Sequence, residues 1–134
     1  MTVITLPRGV HAHMLEQARA SPEHEVCGLL GKPAGAHSVS CYPVTNIAAD
    51  PRRHFEMDPR GQIDAFKHMR ARGEQLWAIY HSHPRGPAEP SATDIRRMSY
   101  PDALYLIISA ADTPPVRAWC WRADRPLEVP LRTR

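Results

Sequence analysis

Cysteine is scarce in this chain of 134 residues, which has three cysteines and no Cys-x-x-Cys pair. Cys27, Cys41 and Cys120 are odd in number and widely spaced, so we expect no disulfide framework. Reduced, mostly buried thiols indicate a cytoplasmic protein. Cys27 lies in an apolar run, which favours a buried structural thiol over a nucleophile.

Long apolar segments and a large charge excess are also absent. The longest apolar runs, such as residues 103–111, are far shorter than the ~20 residues that span a bilayer. The first ten residues contain a proline and no long apolar stretch, so we expect neither a secretory signal nor a membrane anchor. Seventeen basic and fourteen acidic residues leave a net charge of +3, which is too small to indicate nucleic-acid binding.

Length and composition predict a single domain over residues 1–134. Fourteen prolines separate short periodic segments in which helices and strands alternate, so the expected fold class is α/β or α+β. Trp119 and Trp121 are two apart on one predicted strand and are expected to pack in the core; the alternative is an exposed pair that binds a partner. The predicted strands are 3–6, 26–30, 38–44, 76–80, 104–109, 116–121 and 127–131, and the predicted helices are 9–20, 59–73 and 92–100.

A His-x-His pair ends the predicted strand 76–80. Side chains two apart on a strand point to the same side, so His81 and His83 can reach one metal ion. His11 and His13 have the same spacing on a predicted helix, where the rings diverge by ~200°. Asp94 follows a proline-rich loop and can return to the same point as an anionic ligand. Two imidazoles and a carboxylate suit zinc, with one coordination position left for water.

Each of these signals also has a structural interpretation. Two surface histidines would explain an isolated His-x-His pair. Ser91 and Asp94, three residues apart before a predicted helix, resemble a capping box. Capping and metal binding are compatible, because a cap aspartate can also turn its carboxylate to a metal.

A glutamate stands far upstream, beside the apolar run that contains Cys27. A buried carboxylate costs free energy unless it is paired or protonated, so Glu25 is either a solvated residue at the strand edge or a functional group. The order Glu25-x-Cys27-Gly28, His81-x-His83-Pro84 and Pro90-Ser91-x-x-Asp94 resembles the JAMM (MPN+) zinc metallopeptidase family. The segment 55–59 also resembles one that is common in this family.

The resemblance implies a fold and a set of roles. The implied fold is a single JAMM/MPN domain with a curved mixed β-sheet flanked by helices, of the cytidine-deaminase-like kind. One zinc ion per chain would be held by His81, His83 and Asp94, with its water as nucleophile. Glu25 would act as general base, and Ser91 would donate a hydrogen bond to the oxyanion.

The resemblance also implies a substrate class. Small bacterial members resemble peptidases that cut the peptide or isopeptide bond after the C-terminal Gly-Gly of a ubiquitin-like or sulfur-carrier protein. We expect such a carrier as partner, its tail docking as an added strand. A non-catalytic scaffold of the same fold and a DNA-repair-associated JAMM-like protein remain as alternatives. The Pro-Cys-x-x-Cys motif of zinc nucleobase deaminases is absent.

Overall fold

The computed structural model describes residues 2–134 of the chain. Strands and helices alternate through most of this range, as the sequence predicts. The helices are α1 (Arg8–Ala20), α2 (Pro59–Ala71) and α3 (Ala92–Arg97). The strands are β1 (Ile4–Leu6), β2 (Cys27–Pro33), β3 (Ser40–Val44), β4 (Glu74–Ser82), β5 (Leu104–Ile108), β6 (Val116–Arg122), β7 (Arg125–Val129) and β8 (Leu131–Thr133).

Six of the strands form one mixed sheet in the order β3-β2-β4-β5-β6-β7. Strands β4 and β5 run parallel, and the connection between them contains α3. The other neighbouring pairs in this sheet are antiparallel. β1 and β8 form a separate parallel pair. The predicted mixed sheet with flanking helices is therefore confirmed.

Alternating side chains of the central strands give the sheet two apolar faces. Ala78, Tyr80 and Leu106 pack in the cluster that includes the buried residues of α1. Ile79 and Tyr105 point the other way and pack with the buried residues of α2. This two-residue period is what strand geometry requires. It places β4, which carries the His-x-His pair at its end, between two packed layers.

Several predicted boundaries differ from the structure by a few residues, and two of them lie next to the His-x-His pair and Asp94. β4 continues through Ser82, because its partner β5 keeps pairing to the same level. α3 ends at Arg97 rather than at residue 100, since Met98 has left helical geometry at φ −59° and ψ 122°. Pro101 also disfavours helical geometry at the residue before it.

The predicted edge strand 127–131 is in fact two strands, β7 and β8. Pro130 separates them, and proline has no N–H to donate to a strand ladder. β7 pairs with β6, whereas β8 pairs with β1. No helix within residues 2–134 combines the length and apolar character that crossing a membrane requires.

Candidate metal centre

The two histidines of the His-x-His pair converge at the carboxyl end of β4. His81 lies in the middle of the sheet, opposite Cys27 of β2 on one side and Ile107 of β5 on the other, and its side chain is buried. The His83 amide donates to the Ile108 carbonyl at 2.8 Å, which holds the backbone close to extended geometry. The two Nε2 atoms are 3.1 Å apart. The predicted convergence of both rings is confirmed.

Asp94 reaches the same point from the first turn of α3. Ser91 caps this helix: its Oγ accepts from the Asp94 amide at 3.0 Å, and Asp94 Oδ2 accepts from the Ser91 amide at 2.9 Å. The capping box suggested by the sequence therefore exists. The same Oδ2 lies 3.0 Å from Nε2 of His81 and 3.1 Å from Nε2 of His83. One carboxylate therefore caps the helix and also contacts both histidines.

These three side chains have the geometry and the chemistry of a metal site. Their ligand atoms form a triangle with sides of 3.0, 3.1 and 3.1 Å. A tetrahedral zinc ion with ligands at ~2.0–2.1 Å needs ligand atoms about 3.3 Å apart, so small adjustments suffice. His81, His83 and Asp94 form a potential metal-binding group among the described residues, and the donor set of two imidazoles and one carboxylate fits zinc.

Burial and the hydrogen bonds among the three side chains determine the protonation state of each of them. Burial lowers the pKa of His81 and outweighs the opposing effect of Asp94, so its ring favours the neutral form that binds metals. Burial would also lower the pKa of His83, but the hydrogen bond with Asp94 and the one with Pro87 raise it overall. Burial would raise the pKa of Asp94, yet hydrogen bonds with both histidines hold it well below its ordinary range. Asp94 is therefore an anion, as a metal ligand should be.

Glu25 lies near this triangle, just before the start of β2. The paired register of β2 and β4 begins with Cys27 opposite His81, two residues after Glu25. Next to that pair the Ser82 amide donates to the Val26 carbonyl at 2.9 Å, and the Val26 amide donates to Ser82 Oγ at 2.8 Å, so the chain before β2 stays against the end of β4. The charges of His83 and Asp94 both act on the Glu25 carboxyl, which places it close to the metal ligands.

The environment of the Glu25 carboxyl is unusual. Its side chain is buried at 6% exposure, and its Oε1 has no hydrogen-bond partner among the described residues. Burial raises the pKa of Glu25 to about 8; the charge of His83 opposes this shift and the charge of Asp94 adds to it. The alternative of a solvated carboxylate at the strand edge is therefore wrong. A buried acid that exchanges a proton near neutral pH has the properties of a general acid or base.

Ser91 keeps a hydrogen free for donation. Its Oγ accepts from the Asp94 amide, so the hydroxyl hydrogen is not used by the capping box. Ser91 is exposed and is joined to Asp94 of the triangle by the capping box. It can therefore donate to a substrate oxygen placed beside the metal ligands.

A groove of about 630 Å³ leads away from the metal ligands. One part of its lining is the segment 55–57, which is tied to the residues after β3 by a bridge between Asn46 and Met57. Another part is the segment 98–100 after α3. Phe55 lies at the inner end and stacks on the ring of His81, with centroids 4.5 Å apart. The sequence marked the segment 55–59 as family-like but assigned no contact to Phe55.

Sequence reasoning missed the residues that anchor the loop 84–90 between the two parts of the motif. Ser109 Oγ donates to the Gly86 carbonyl at 2.7 Å, and Asp112 and Trp119 bind the backbone of Ala88. Trp119 was expected to pack in the core, and its hydrogen bond to the loop had no signal in the sequence. The contacts span 23 to 31 residues, so no local pattern could have found them.

Cys27 agrees with its prediction. It is fully buried, and its Sγ donates to the Val44 carbonyl at 3.3 Å. Burial, with a further contribution from the charge of Glu25, raises the pKa of the thiol to about 12. A thiol in this state is a structural group rather than a nucleophile.

Comparison with known proteins identifies the family. The model described as "Prokaryotic homologs of the JAB domain" matches residues 7–122. A desampylase from Haloferax volcanii is 36% identical over 119 residues, which are 88% of this chain and 86% of that protein. A CysO-cysteine peptidase from Mycobacterium tuberculosis is 33% identical over 100 residues, which are 74% of this chain and 68% of that protein.

A solved structure gives the same result in three dimensions. The solution structure of a protein from Desulfitobacterium hafniense has a TM-score of 0.84 and 36% identity, and the match covers 99% of this chain and 93% of that one. The family model, these relatives and the converging motif residues agree with one another. The chain belongs to the prokaryotic JAB-domain family, which confirms the resemblance to JAMM (MPN+) metallopeptidases.

Proposed function

We propose that this chain is a zinc-dependent metallopeptidase that hydrolyses the peptide or isopeptide bond after the C-terminal Gly-Gly of a ubiquitin-like or sulfur-carrier protein. One observation carries the proposal: the ligand atoms of His81, His83 and Asp94 meet within 3.1 Å of one another, and a buried acid, Glu25, lies close enough to feel the charges of His83 and Asp94. A complete ligand set favours an enzyme over a metal-free scaffold of the same fold.

The two histidines and Asp94 would hold the ion, one per chain. Zinc in such a site supplies Lewis acidity and lowers the pKa of water beside it to ~7. The Glu25 carboxylate takes a proton from the attacking water and holds it in a buried environment. Glu25 then delivers that proton to the leaving amine, so it serves first as base and then as acid.

Ser91 would stabilise the charge that develops on the substrate. Its free hydroxyl hydrogen donates to the carbonyl oxygen of the scissile bond as that oxygen becomes negative. The capping box supports this role, because it fixes the position of the hydroxyl through the Asp94 amide. Ser91 and Asp94 are thus held together by the same turn of α3.

The groove supports an extended peptide as substrate. Its lining includes His81, Asp94 and the segments 55–57 and 98–100, and its volume of about 630 Å³ is large enough for several residues of a flexible tail. Glycine next to the bond would keep the tail narrow beside Phe55, which lines the groove and stacks on the metal-ligand ring of His81. The names of the two relatives, a desampylase and a CysO-cysteine peptidase, support a small carrier protein as partner.

We place the reaction in the cytoplasm and treat residues 1–134 as one catalytic domain. Cys27, Cys41 and Cys120 are free thiols, which is usual in a reducing compartment. The metal ligands, Glu25 and Ser91 are all carried by one sheet and its connections, so the site needs no second domain.

The test uses a carrier protein encoded near this chain, extended beyond Gly-Gly, and weighs the products by mass spectrometry. We expect one defined mass loss, which a chelator abolishes and added zinc restores. E25Q should still bind zinc, but its turnover should fall at least 10²-fold. E23Q changes an exposed position two residues earlier and should match the wild type in both properties.

Two results would contradict the proposal. One is cleavage by E25Q at the wild-type rate, which would show that Glu25 is not the general base. The other is a carrier whose Gly-Gly is replaced by bulky residues and that is cleaved as fast as the natural carrier. This result would show that the enzyme is not specific for Gly-Gly.

A further inference from the structure

The loop 84–90 places one peptide group directly against a metal-ligand histidine. His83 Nδ1 lies 2.9 Å from the Pro87 carbonyl oxygen. A carbonyl oxygen can only accept, so Nδ1 carries the hydrogen, and the neutral ring has its unshared pair on Nε2. Nε2 is the atom that faces His81 and Asp94. The orientation of this single carbonyl therefore determines which nitrogen of His83 is available to a metal.

The other edge of the same peptide group is held by Asp112. The Ala88 amide belongs to the peptide plane that carries the Pro87 carbonyl, and it donates to Asp112 Oδ2 at 2.9 Å. In a trans peptide the N–H and the C=O point in opposite directions within one plane. His83 and Asp112 therefore hold opposite edges of a rigid unit, and fixing one edge fixes the direction of the other.

A second bond holds the next peptide group. Trp119 Nε1 donates to the Ala88 carbonyl at 3.0 Å, so both backbone groups of this residue are bound by side chains from the β5–β6 region. Ala88 is fully buried, which leaves its polar backbone groups no water as an alternative partner. Loss of either bond would leave a buried polar group unpaired and favour movement of the loop.

Arg117 connects this anchor to the rest of the sheet. Its guanidinium lies over the Trp119 ring at 5.1 Å and within 3.6 Å of Asp112 Oδ2. It also contacts Glu89 of the loop at 3.2 Å and binds Glu128 of β7 through two hydrogen bonds of 2.8 Å. The anchor is therefore built on β6 and β7, outside the metal triangle.

We propose that Asp112 and Trp119 are positioning residues that raise the metal affinity of this site by fixing the Pro87–Ala88 peptide against His83. Neither side chain touches the metal ligands; each acts through the loop backbone. The inference rests on the proposed metal site, and its test measures zinc affinity rather than turnover. Partners that orient a metal-ligand histidine typically change metal affinity 10–100-fold when they are removed.

The test compares zinc affinity in five variants of the full chain by competition with a chromophoric chelator. D112A removes the acceptor of the Ala88 amide and should weaken zinc binding at least 10-fold. D112N keeps an oxygen acceptor and should remain within about threefold of the wild type. W119F keeps an aromatic ring under Arg117 but loses the Nε1 donor, and should weaken binding about 5–10-fold.

Trp121 supplies the matched control. It lies two residues along the same strand, and its Nε1 has no hydrogen-bond partner among the described residues. W121F should therefore leave zinc affinity unchanged, and thermal unfolding of each metal-free variant measures its general stability. Zinc affinity within twofold of the wild type in both D112A and W119F would overturn the inference. Equal losses in D112A and D112N, or in W119F and W121F, would also overturn it.

The outcome for the wild type separates this inference from the proposed function. A wild-type chain that binds no zinc contradicts the proposed function itself. A wild-type chain that binds zinc tightly, and whose affinity does not depend on Asp112 or Trp119, contradicts only the positioning role. H83A serves as reference for complete loss of a ligand.

Discussion

Replacing Glu25 by glutamine should change the pH dependence of stability in the metal-free protein. The unfolded chain releases the Glu25 proton near pH 4.5, whereas burial in the folded protein raises the pKa to about 8. Between these values the folded state binds more protons than the unfolded state, so this group's contribution to the free energy of unfolding falls as pH rises. The contribution is fully present below pH 4.5 and is lost above pH 8.

The magnitude follows from the width of that window. Each pH unit inside it changes the free energy of unfolding by up to ~1.4 kcal/mol, so the interval from pH 5 to pH 8 corresponds to about 3 kcal/mol. Glutamine has the size of glutamate and no proton to release. E25Q should therefore gain about 3 kcal/mol over the wild type between these two pH values, while the other titrating groups are common to both proteins.

Urea unfolding at pH 5, 6, 7 and 8 with a chelator present measures this difference. E23Q removes a carboxylate from an exposed position and should give a difference from wild type that stays constant across the series. Saturating zinc should reduce the E25Q effect, because a nearby dication favours the ionised form of Glu25. A difference between E25Q and the wild type that stays within 0.5 kcal/mol from pH 5 to pH 8 would refute the reasoning.

Three further substitutions test other parts of the site and core. S91A should lower kcat 10²–10³-fold and cost about 1 kcal/mol through loss of the helix cap, measured by steady-state kinetics and thermal unfolding; an unchanged kcat would contradict the oxyanion role. G28A should destabilise by about 3 kcal/mol, because its Cβ would stand 2.4 Å from the buried Tyr80 ring, while G9A in α1 has open space and should gain a few tenths of a kcal/mol. C27A should cleave the carrier with a zinc-dependent rate within threefold of the wild type. A folded C27A protein without turnover would support Cys27 as a nucleophile instead.

The local features of the site could be predicted from the sequence because each depends on a few neighbouring residues. An extended backbone brings His81 and His83 to one side, and a helix start brings Ser91 and Asp94 together. Both patterns are fixed by the geometry of a strand or of a first helical turn. The length of α3 was predicted less well, because the chain leaves helical geometry at Met98, two residues before the position that Pro101 restricts.

The position of Glu25 depends on a contact that the sequence does not encode locally. Its place beside the metal ligands follows from the antiparallel alignment of β2 and β4, which begins two residues after Glu25 with Cys27 opposite His81, 54 positions apart. Periodicity left both a solvated and a functional glutamate open, and only the family resemblance favoured the second. The anchoring of the loop by Asp112 and Trp119 was missed for the same reason, because neither residue belongs to the motif.

Stability and activity are expected to respond in opposite directions at Glu25. A carboxyl without a partner for one oxygen, buried at 6% exposure, lowers stability at neutral pH, and glutamine should relieve that cost. A residue that served only the fold would lose stability on substitution. The combination expected for E25Q, a more stable metal-free protein above pH 7 that binds zinc and does not turn over, arises only if the buried proton is used in the reaction. Measuring both properties on the same variant therefore distinguishes a catalytic acid from a structural one.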